Sequence, residues 1–348
     1  MPLEEFNLTG SVKLVIKENV LAVICDNTLM AVSSAFYNGG TKQIKAVLNV
    51  GVPEGYNDRS LHLDPLALIT SSAAKLGFTK DYLAMVTAAK ISNYSLVTKK
   101  ADNFSVTVAA TAGCKHGESS GEEMDVQEIS GGTINIIVLI DGMPTESCMV
   151  ASVITATEAK SAALRDLDVR SLYTGDSATG SITDSVTIAS TNQGKTISYG
   201  GPASKLGKLV GHCTRKAVAE ALVKQEPFWK NRTVIDRLKE RHLHIEQLAT
   251  EISKVEGLAI DTKSLETILE DMPAASAFLL AAAKMDDDYK KNLLPDIDGN
   301  SEMMTKCFDN LATLTRNSSK PAGYDSVDLP PFVKNALISI VQEAYSKH

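Results

Sequence analysis

No cluster of Lys and Arg occurs in the 348 residues, and the formal net charge is −7. A nucleic-acid partner requires a basic footprint to neutralise phosphates, so that class of ligand is not expected. No apolar run approaches the ~20 residues that a bilayer-spanning helix needs. The opening residues Met1-Pro2-Leu3-Glu4-Glu5 carry neither the basic region nor the apolar core of a signal peptide, and a cytoplasmic location is expected. The cysteines Cys25, Cys114, Cys148, Cys213 and Cys307 are odd in number and contain no Cys-x-x-Cys pair, which argues against a disulfide framework or a zinc cluster. Histidine is equally unhelpful as a metal ligand: His62, His116, His212 and His348 are isolated, and His242 and His244 are two apart on an expected helix, pointing to different faces. No protein-bound metal is expected. Fixed-period repeats and low-complexity tracts are also absent.

What is present divides near Gln225-Glu226-Pro227. A chain of this length exceeds the usual span of one domain, and residues 1–225 and 226–348 are expected to form two regions. In the first, runs rich in β-branched residues read as strands: Val12 to Ile16, Val20 to Cys25, Leu29 to Ser34, Ala46 to Val50, Leu83 to Ala88, Tyr94 to Thr98, Ser105 to Thr111, Ile134 to Asp141, Asp184 to Ala189 and Thr196 to Tyr199. Helical spacing appears over Pro65 to Leu76, Glu146 to Leu167 and Ala203 to Leu222. Short turns between consecutive strands favour hairpins, so the expected class is α+β, a mainly antiparallel sheet covered by helices. Beyond Pro227, five segments show apolar spacing of three and four: Thr233 to Glu256, Lys263 to Asp271, Ala274 to Met285, Met303 to Thr315 and Phe332 to Tyr345. An all-helical C-terminal region is expected there.

The polar chemistry concentrates where strands begin and end. Ser34, Asn38, Gly39 and Gly40 follow one strand, Thr111 and Gly113 end another, and Gly132, Thr133 and Asn135 open a third. Glycines at such turns let backbone N–H groups face an anion or a polarised carbonyl, although a plain Asn-Gly turn explains residues 38–40 equally well. None of these turns has the Gly-Lys-Ser/Thr ending of a phosphate loop or the Gly-x-Gly-x-x-Gly fingerprint. The helix after the third strand carries Thr155, Thr157, Glu158 and Lys160 among alanines. Spacing of three predicts Thr155 with Glu158 on one stripe and Thr157 with Lys160 on the next. The loop holding Asp176, Thr179, Gly180, Ser181, Thr183 and Asp184 is long enough to fold over a cleft, and Lys205 stands at a helix start suited to an anion.

These motifs resemble, in order across most of residues 10 to 224, the adenosylcobinamide amidohydrolases of the CbiZ type. The likeness rests on Ser33-Ser34-Ala35 with Asn38-Gly39-Gly40, on Thr111-Ala112-Gly113 and on Gly132-Thr133-Ile134-Asn135. It continues through residues 154–160, Ala178-Thr179-Gly180 with Thr183-Asp184, and Lys205-Leu206-Gly207. Two segments depart from the family pattern: Ala203-Ser204 stands where His-Thr is usual, and Cys114-Lys115-His116 where Val/Leu-Ser-Asn is usual.

The resemblance implies hydrolysis of the amide that joins the aminopropanol arm to the corrin ring of adenosylcobinamide. The products would be adenosylcobyric acid and 1-amino-2-propanol. No cofactor is implied, since the cobalt travels with the corrinoid substrate. Such a reaction needs an activated water or nucleophile, donors for the tetrahedral oxyanion, and an acid for the departing amine.

Glu158 is the expected base, with Asp184 the alternative, on the reasoning that a partly buried carboxylate has a raised pKa. Thr133 is a further candidate as covalent nucleophile. Amides near Gly39-Gly40 or Gly132-Thr133, helped by Asn38 or Asn135, are the expected oxyanion donors. Lys160 or Lys205 would orient substrate or protonate the amine, and Thr157, Thr179, Gly180 and Thr183 would line the site. A corrinoid-binding protein without hydrolysis and a different small-molecule amidase are the competing readings. The helical tail lies outside the resemblance and is expected to mediate association into a homo-oligomer.

Overall fold

The computed structural model describes residues 3–53, 65–115, 117–123, 132–294 and 321–346. It divides into two compact units, residues 1–173 with 177–231 and residues 174–176 with 232–348.

The first unit is built on a nine-stranded curled sheet. Its strands are β1 (Glu4–Thr9), β2 (Val12–Lys17), β3 (Val20–Ser33), β4 (Gly40–Gly51), β5 (Tyr82–Thr87), β6 (Ser95–Lys100), β7 (Ser105–Gly113), β8 (Thr133–Asp141) and β10 (Ser185–Ser190). A two-residue pair, β9 (Met143–Pro144) with β11 (Thr196–Ile197), lies outside it. Most pairings are antiparallel, while β4–β5 and β8–β10 are parallel. The two segments expected as separate strands, 20–25 and 29–34, are one long strand. Residues 25–28 of β3 bulge opposite a single residue of β4, since Ile24 pairs Ala46 and Leu29 pairs Ile44. The bulge bends β3 so that its first half pairs β2 and its second half pairs β10.

Alternation along the strands sorts side chains into two cores. In β8, Ile134, Ile136, Val138 and Ile140 point to the face covered by helices α2 (Glu146–Asp166) and α3 (Lys205–Gln225), where they meet Cys148, Met149, Val210 and Cys213. Ile137 and Leu139 point the other way, into a core closed by β2, β3, β4 and β5. Each large aliphatic so enclosed contributes roughly 1.5–3 kcal/mol. The outer side of β4 and β5 is covered by α1 (Pro65–Lys75), whose Ile69 and Ala73 pack on Val20, Leu48 and Tyr82. Sequence alternation did not separate the two cores, because both faces of β8 are apolar over most of its length.

Helix α4 (Phe228–Asn231) ends the first unit. The second contains α5 (Val234–Lys239), α6 (Ile245–Ile252), α7 (Thr262–Asp271), α8 (Pro273–Lys290) and α9 (Pro331–Ser346) around Leu248, Ile252, Leu265, Leu279, Phe332, Leu337 and Val341. The single helix expected over 233–256 is two. His242 has φ 61° and His244 caps α6, so both lie in the break rather than on a helix. The expected helix 303–315 falls outside the described residues.

Candidate active site

Four strand termini gather at one end of the curled sheet. Gly113 at the end of β7 pairs Thr133 at the start of β8, Asn135 pairs both Thr111 and Ser185, and Ser34 after β3 exchanges bonds with Val186. The Ser34 hydroxyl accepts from Val186 N at 3.0 Å, which prolongs the β3–β10 pairing by a side chain. Sheet curvature then brings β5 over the same end, where Val86 O accepts from Asn135 Nδ2 at 2.9 Å.

The charged centre of this end is Asp184 with Lys160, which form an ion pair largely shielded from solvent. Lys160 reaches it from α2, and Asp184 stands just before β10. Asp184 is held on both oxygens: Ile134 N donates at 3.0 Å and the Ser181 hydroxyl at 2.5 Å to Oδ1, and Ser181 N at 3.1 Å to Oδ2 beside the lysine. A carboxylate with that many donors is a fixed anion that keeps an ammonium in place. Gly180 makes the pair feasible: a Cβ there would lie 2.6 Å from Asp184 Oδ2 and 2.8 Å from Lys160 Nζ. Beside them the Thr133 and Thr183 hydroxyls share a 2.9 Å bond, and Thr183 also donates to Gly132 O at 3.2 Å.

Four titratable groups surround the buried Cys114. Burial pushes its thiol far up, and the negative charges of Asp184 and Glu226 push further, so it stays protonated. Glu226 anchors the end of α3, accepting from Trp229 Nε1 at 2.7 Å and Cys114 N at 3.3 Å. Glu118, whose carbonyl accepts Gly180 N at 3.2 Å, has its carboxyl pKa raised by partial burial and by the neighbouring Glu122. That is the direction a proton acceptor near neutral pH requires. Neither Glu118 nor Glu226 belonged to a sequence motif. Their only sequence signal is that each follows a turn or helix end leading away from the motif residues.

Deeper inside the same end lies a chain of buried amides and hydroxyls. Asn135 Nδ2 donates to Asn49 Oδ1 at 2.8 Å, and Asn49 Nδ2 donates to Thr111 at 2.8 Å. A second pair, Ser33 with Thr187 at 2.6 Å, sits further along β10.

Ser34, Thr111, Gly113, Gly132, Thr133, Asn135, Lys160, Gly180, Thr183 and Asp184 are thus brought together. Several other expected residues are not. Asn38 has φ 55° and donates to Tyr82 O at 3.0 Å, and Gly39 is required because a Cβ would lie 2.4 Å from Ala35 O. The segment 38–40, closed by Gly40 at φ 83°, is therefore a turn pinned to β5. Thr157, Thr179 and Glu158 line a hollow of about 790 Å³ between α2 and α3, together with Arg165, His212 and Arg215. Glu158 is exposed, so the partial burial expected of it is missing. The expected stripes are also regrouped: Thr155 is buried, donating to Gly200 O at 2.9 Å, whereas Thr157 and Glu158 face solvent and Lys160 faces inward.

Lys205 lines another hollow of about 870 Å³ with Asn103, Phe104, Lys195 and Tyr199. Phe104 immediately precedes β7, so this hollow is separated from Gly113 by the full strand, roughly 27 Å for eight residue steps. Ser204 caps α3 there, accepting from Gly207 N at 2.9 Å, so the departure at 203–204 retains a helix-capping hydroxyl. Among the described residues no group of three or more His, Cys, Asp or Glu could hold a metal ion, and no helix is long and apolar enough to cross a membrane.

A family model described as adenosylcobinamide amidohydrolase matches residues 5–228. The chain belongs to the CbiZ family. That family is an amidohydrolase family acting on adenosylcobinamide, a non-peptide amide. Among its relatives, the adenosylcobinamide amidohydrolase of Methanosarcina mazei is 30% identical over 214 residues, covering 60% of this chain and 92% of that protein. An uncharacterized protein of Methanocaldococcus jannaschii is 29% identical over 207 residues, covering 54% of this chain and 80% of its own. A solved structure from Pyrococcus horikoshii covers 61% of this chain and 77% of its own at 11% identity and a TM-score of 0.30, too remote to bear on the CbiZ site. The CbiZ match contains every strand-end residue described above and stops within α4, before residues 232–348 of the second unit.

Proposed function

We propose that the chain hydrolyses the aminopropanol amide of adenosylcobinamide, releasing adenosylcobyric acid and 1-amino-2-propanol, at the strand-end cluster of Thr133, Lys160 and Asp184. The observation that carries this reading is the ion pair itself: a largely buried lysine on α2 is aimed at the meeting point of three family motifs. Asp184, held on both oxygens by its donors, fixes the ammonium in place. Lys160 then supplies positive charge where the tetrahedral oxyanion develops, and a proton for the leaving amine.

Glu118, with its raised pKa, accepts the proton of the attacking water, and the paired hydroxyls of Thr133 and Thr183 hold that water in line. Glu158, on the solvent face of α2, lies outside this centre. The substrate is a small-molecule corrinoid, and the second unit takes no chemical part. We further take association into a homo-oligomer as the role of the helical tail. Incubating the full chain with adenosylcobinamide and analysing by mass spectrometry tests the reaction. Equimolar adenosylcobyric acid and 1-amino-2-propanol are expected; folded protein that forms neither would sink the reading.

A further inference from the structure

Asn135 has a hydrogen-bonding valence that the fold leaves open, and its sense is fixed. Of its two amide hydrogens, one goes to Val86 O and one to Asn49 Oδ1. Val86 O can only accept, so the atom facing it is the nitrogen. This in turn fixes Asn49, whose oxygen must face Asn135 and whose nitrogen must face Thr111. With both donors used, the expected role of Asn135 as an oxyanion donor is ruled out. Its Oδ1, on a residue 1% exposed, has no partner in the structure. Buried acceptors are rarely left in this state, and those that are require a reason.

The open acceptor stands on the same strand face as Thr133, two residues along β8, at the strand end where Thr133 meets Thr183. The reaction's own chemistry provides a donor. Because 1-amino-2-propanol is a primary amine, the amide formed from it carries one N–H beside the scissile carbonyl. We infer that this N–H donates to Asn135 Oδ1, so that the Asn49–Thr111–Asn135 chain is the element that recognises a secondary amide. The inference rests on the amidohydrolase reading of the same cluster. It makes Asn135 a substrate-binding group that selects N–H over any isosteric replacement. The corrin's other carboxamides and a buried water are the competing donors.

The test uses a ketone analogue of adenosylcobinamide in which CH2 replaces the scissile N–H. It cannot be hydrolysed and keeps every other group of the corrinoid. Its dissociation constant is compared with that of adenosylcobinamide from single-turnover kinetics, in the parent chain and in Asn135→Leu. In the parent the ketone should bind about 100-fold more weakly, since a site with a committed acceptor rejects a ligand lacking the donor. In Asn135→Leu the two should bind within about threefold of each other.

A parental ratio near one would overturn the inference, with water or a peripheral carboxamide then satisfying Oδ1. So would an unchanged ratio in a folded Asn135→Leu protein. Where that variant fails to fold, the parental ratio decides alone. If the parent binds adenosylcobinamide without converting it, equilibrium affinities still measure the contact, and only the proposed reaction fails.

Discussion

Lys160 and Glu158 are two residues apart on one helix and serve two unrelated surfaces. The lysine is buried against Asp184, Gly180 and the start of β8, while the glutamate looks out over the hollow between α2 and α3. On a helix a two-residue step turns the side chain about 200°, so a motif that is contiguous in sequence is cut in half by the surface of the domain. Polar residues clustered along a helix therefore define a site only after burial is known. The inward half carries polar atoms bonded to other elements, whereas on the outward half the Thr157 hydroxyl is bonded within its own helix, to Val153 O at 2.9 Å.

Lys160→Met attacks this contrast most severely. It should lower turnover about 10³-fold, and it should also destabilise the fold, because it strips the cation from a shielded carboxylate. The double variant Lys160→Met/Asp184→Asn separates the two effects: thermal unfolding should recover and turnover should not. Recovered turnover would show the pair to be scaffolding.

Glu118→Gln should follow, with a loss of roughly 10²-fold in kcat and disappearance of the acid limb of the kcat/KM profile. That limb should lie above the ordinary carboxylate range in the parent, since burial and Glu122 raise the group. A parental limb at an ordinary carboxylate value would assign the proton to another group.

Gly180→Ala places a methyl between Asp184 and Lys160 and should cost about tenfold in turnover. The same change at half-buried Gly201, where a Cβ meets nothing within 4 Å, should leave turnover unchanged, and equal losses at both would deny the close approach its importance.

A second comparison concerns carboxylates alone. Asp286 in the helical unit is 3% exposed and takes Phe332 N at 3.0 Å and Val333 N at 2.8 Å, with no lysine bonded to it among the described residues. Burial prevails over those two bonds and pushes its pKa up to about 6. The folded value lies above the unfolded one, so its favourable contribution is complete below about pH 4 and is lost as pH rises to 6. Denaturant titrations of the full chain should show a decline on the order of 2–3 kcal/mol across that window, and Asp286→Asn should flatten it. An unaltered slope in the variant would move the effect elsewhere.

Least affected should be Glu158→Gln, which should stay within about threefold of parental turnover, as an exposed side chain away from the centre. A loss comparable to that of Lys160→Met would reverse the assignment of the two helix faces and make the α2–α3 hollow the reaction site.

Much of the architecture was legible in the chain. β-branched runs marked β2, β7, β8 and β10, and apolar periodicity marked α1, α2 and α3, because those signals arise from local burial. The bulge in β3 was not, since Asp26-Asn27-Thr28 reads as an ordinary turn between two strands. The Gly and Thr motifs at 111–113 and 132–135 pointed to strand ends that gather at one end of the sheet. The pairing of Glu118 with Gly180 depended on packing between distant segments, and so did the separation of Lys205 by the length of β7. The fixed sense of Asn135 could only come from Val86, 49 residues away in sequence.

Strand β8 has a consequence for how this protein tolerates change. Its even-numbered residues hold two helices in place, and its odd-numbered residues run from Thr133 and Asn135 into the opposite core. Changes at Thr133 and Asn135 would leave that helix packing intact. Deleting one residue at the head of the strand would exchange the two sets at a stroke, so substitution and deletion libraries of the same nine positions should yield survivors of very different number.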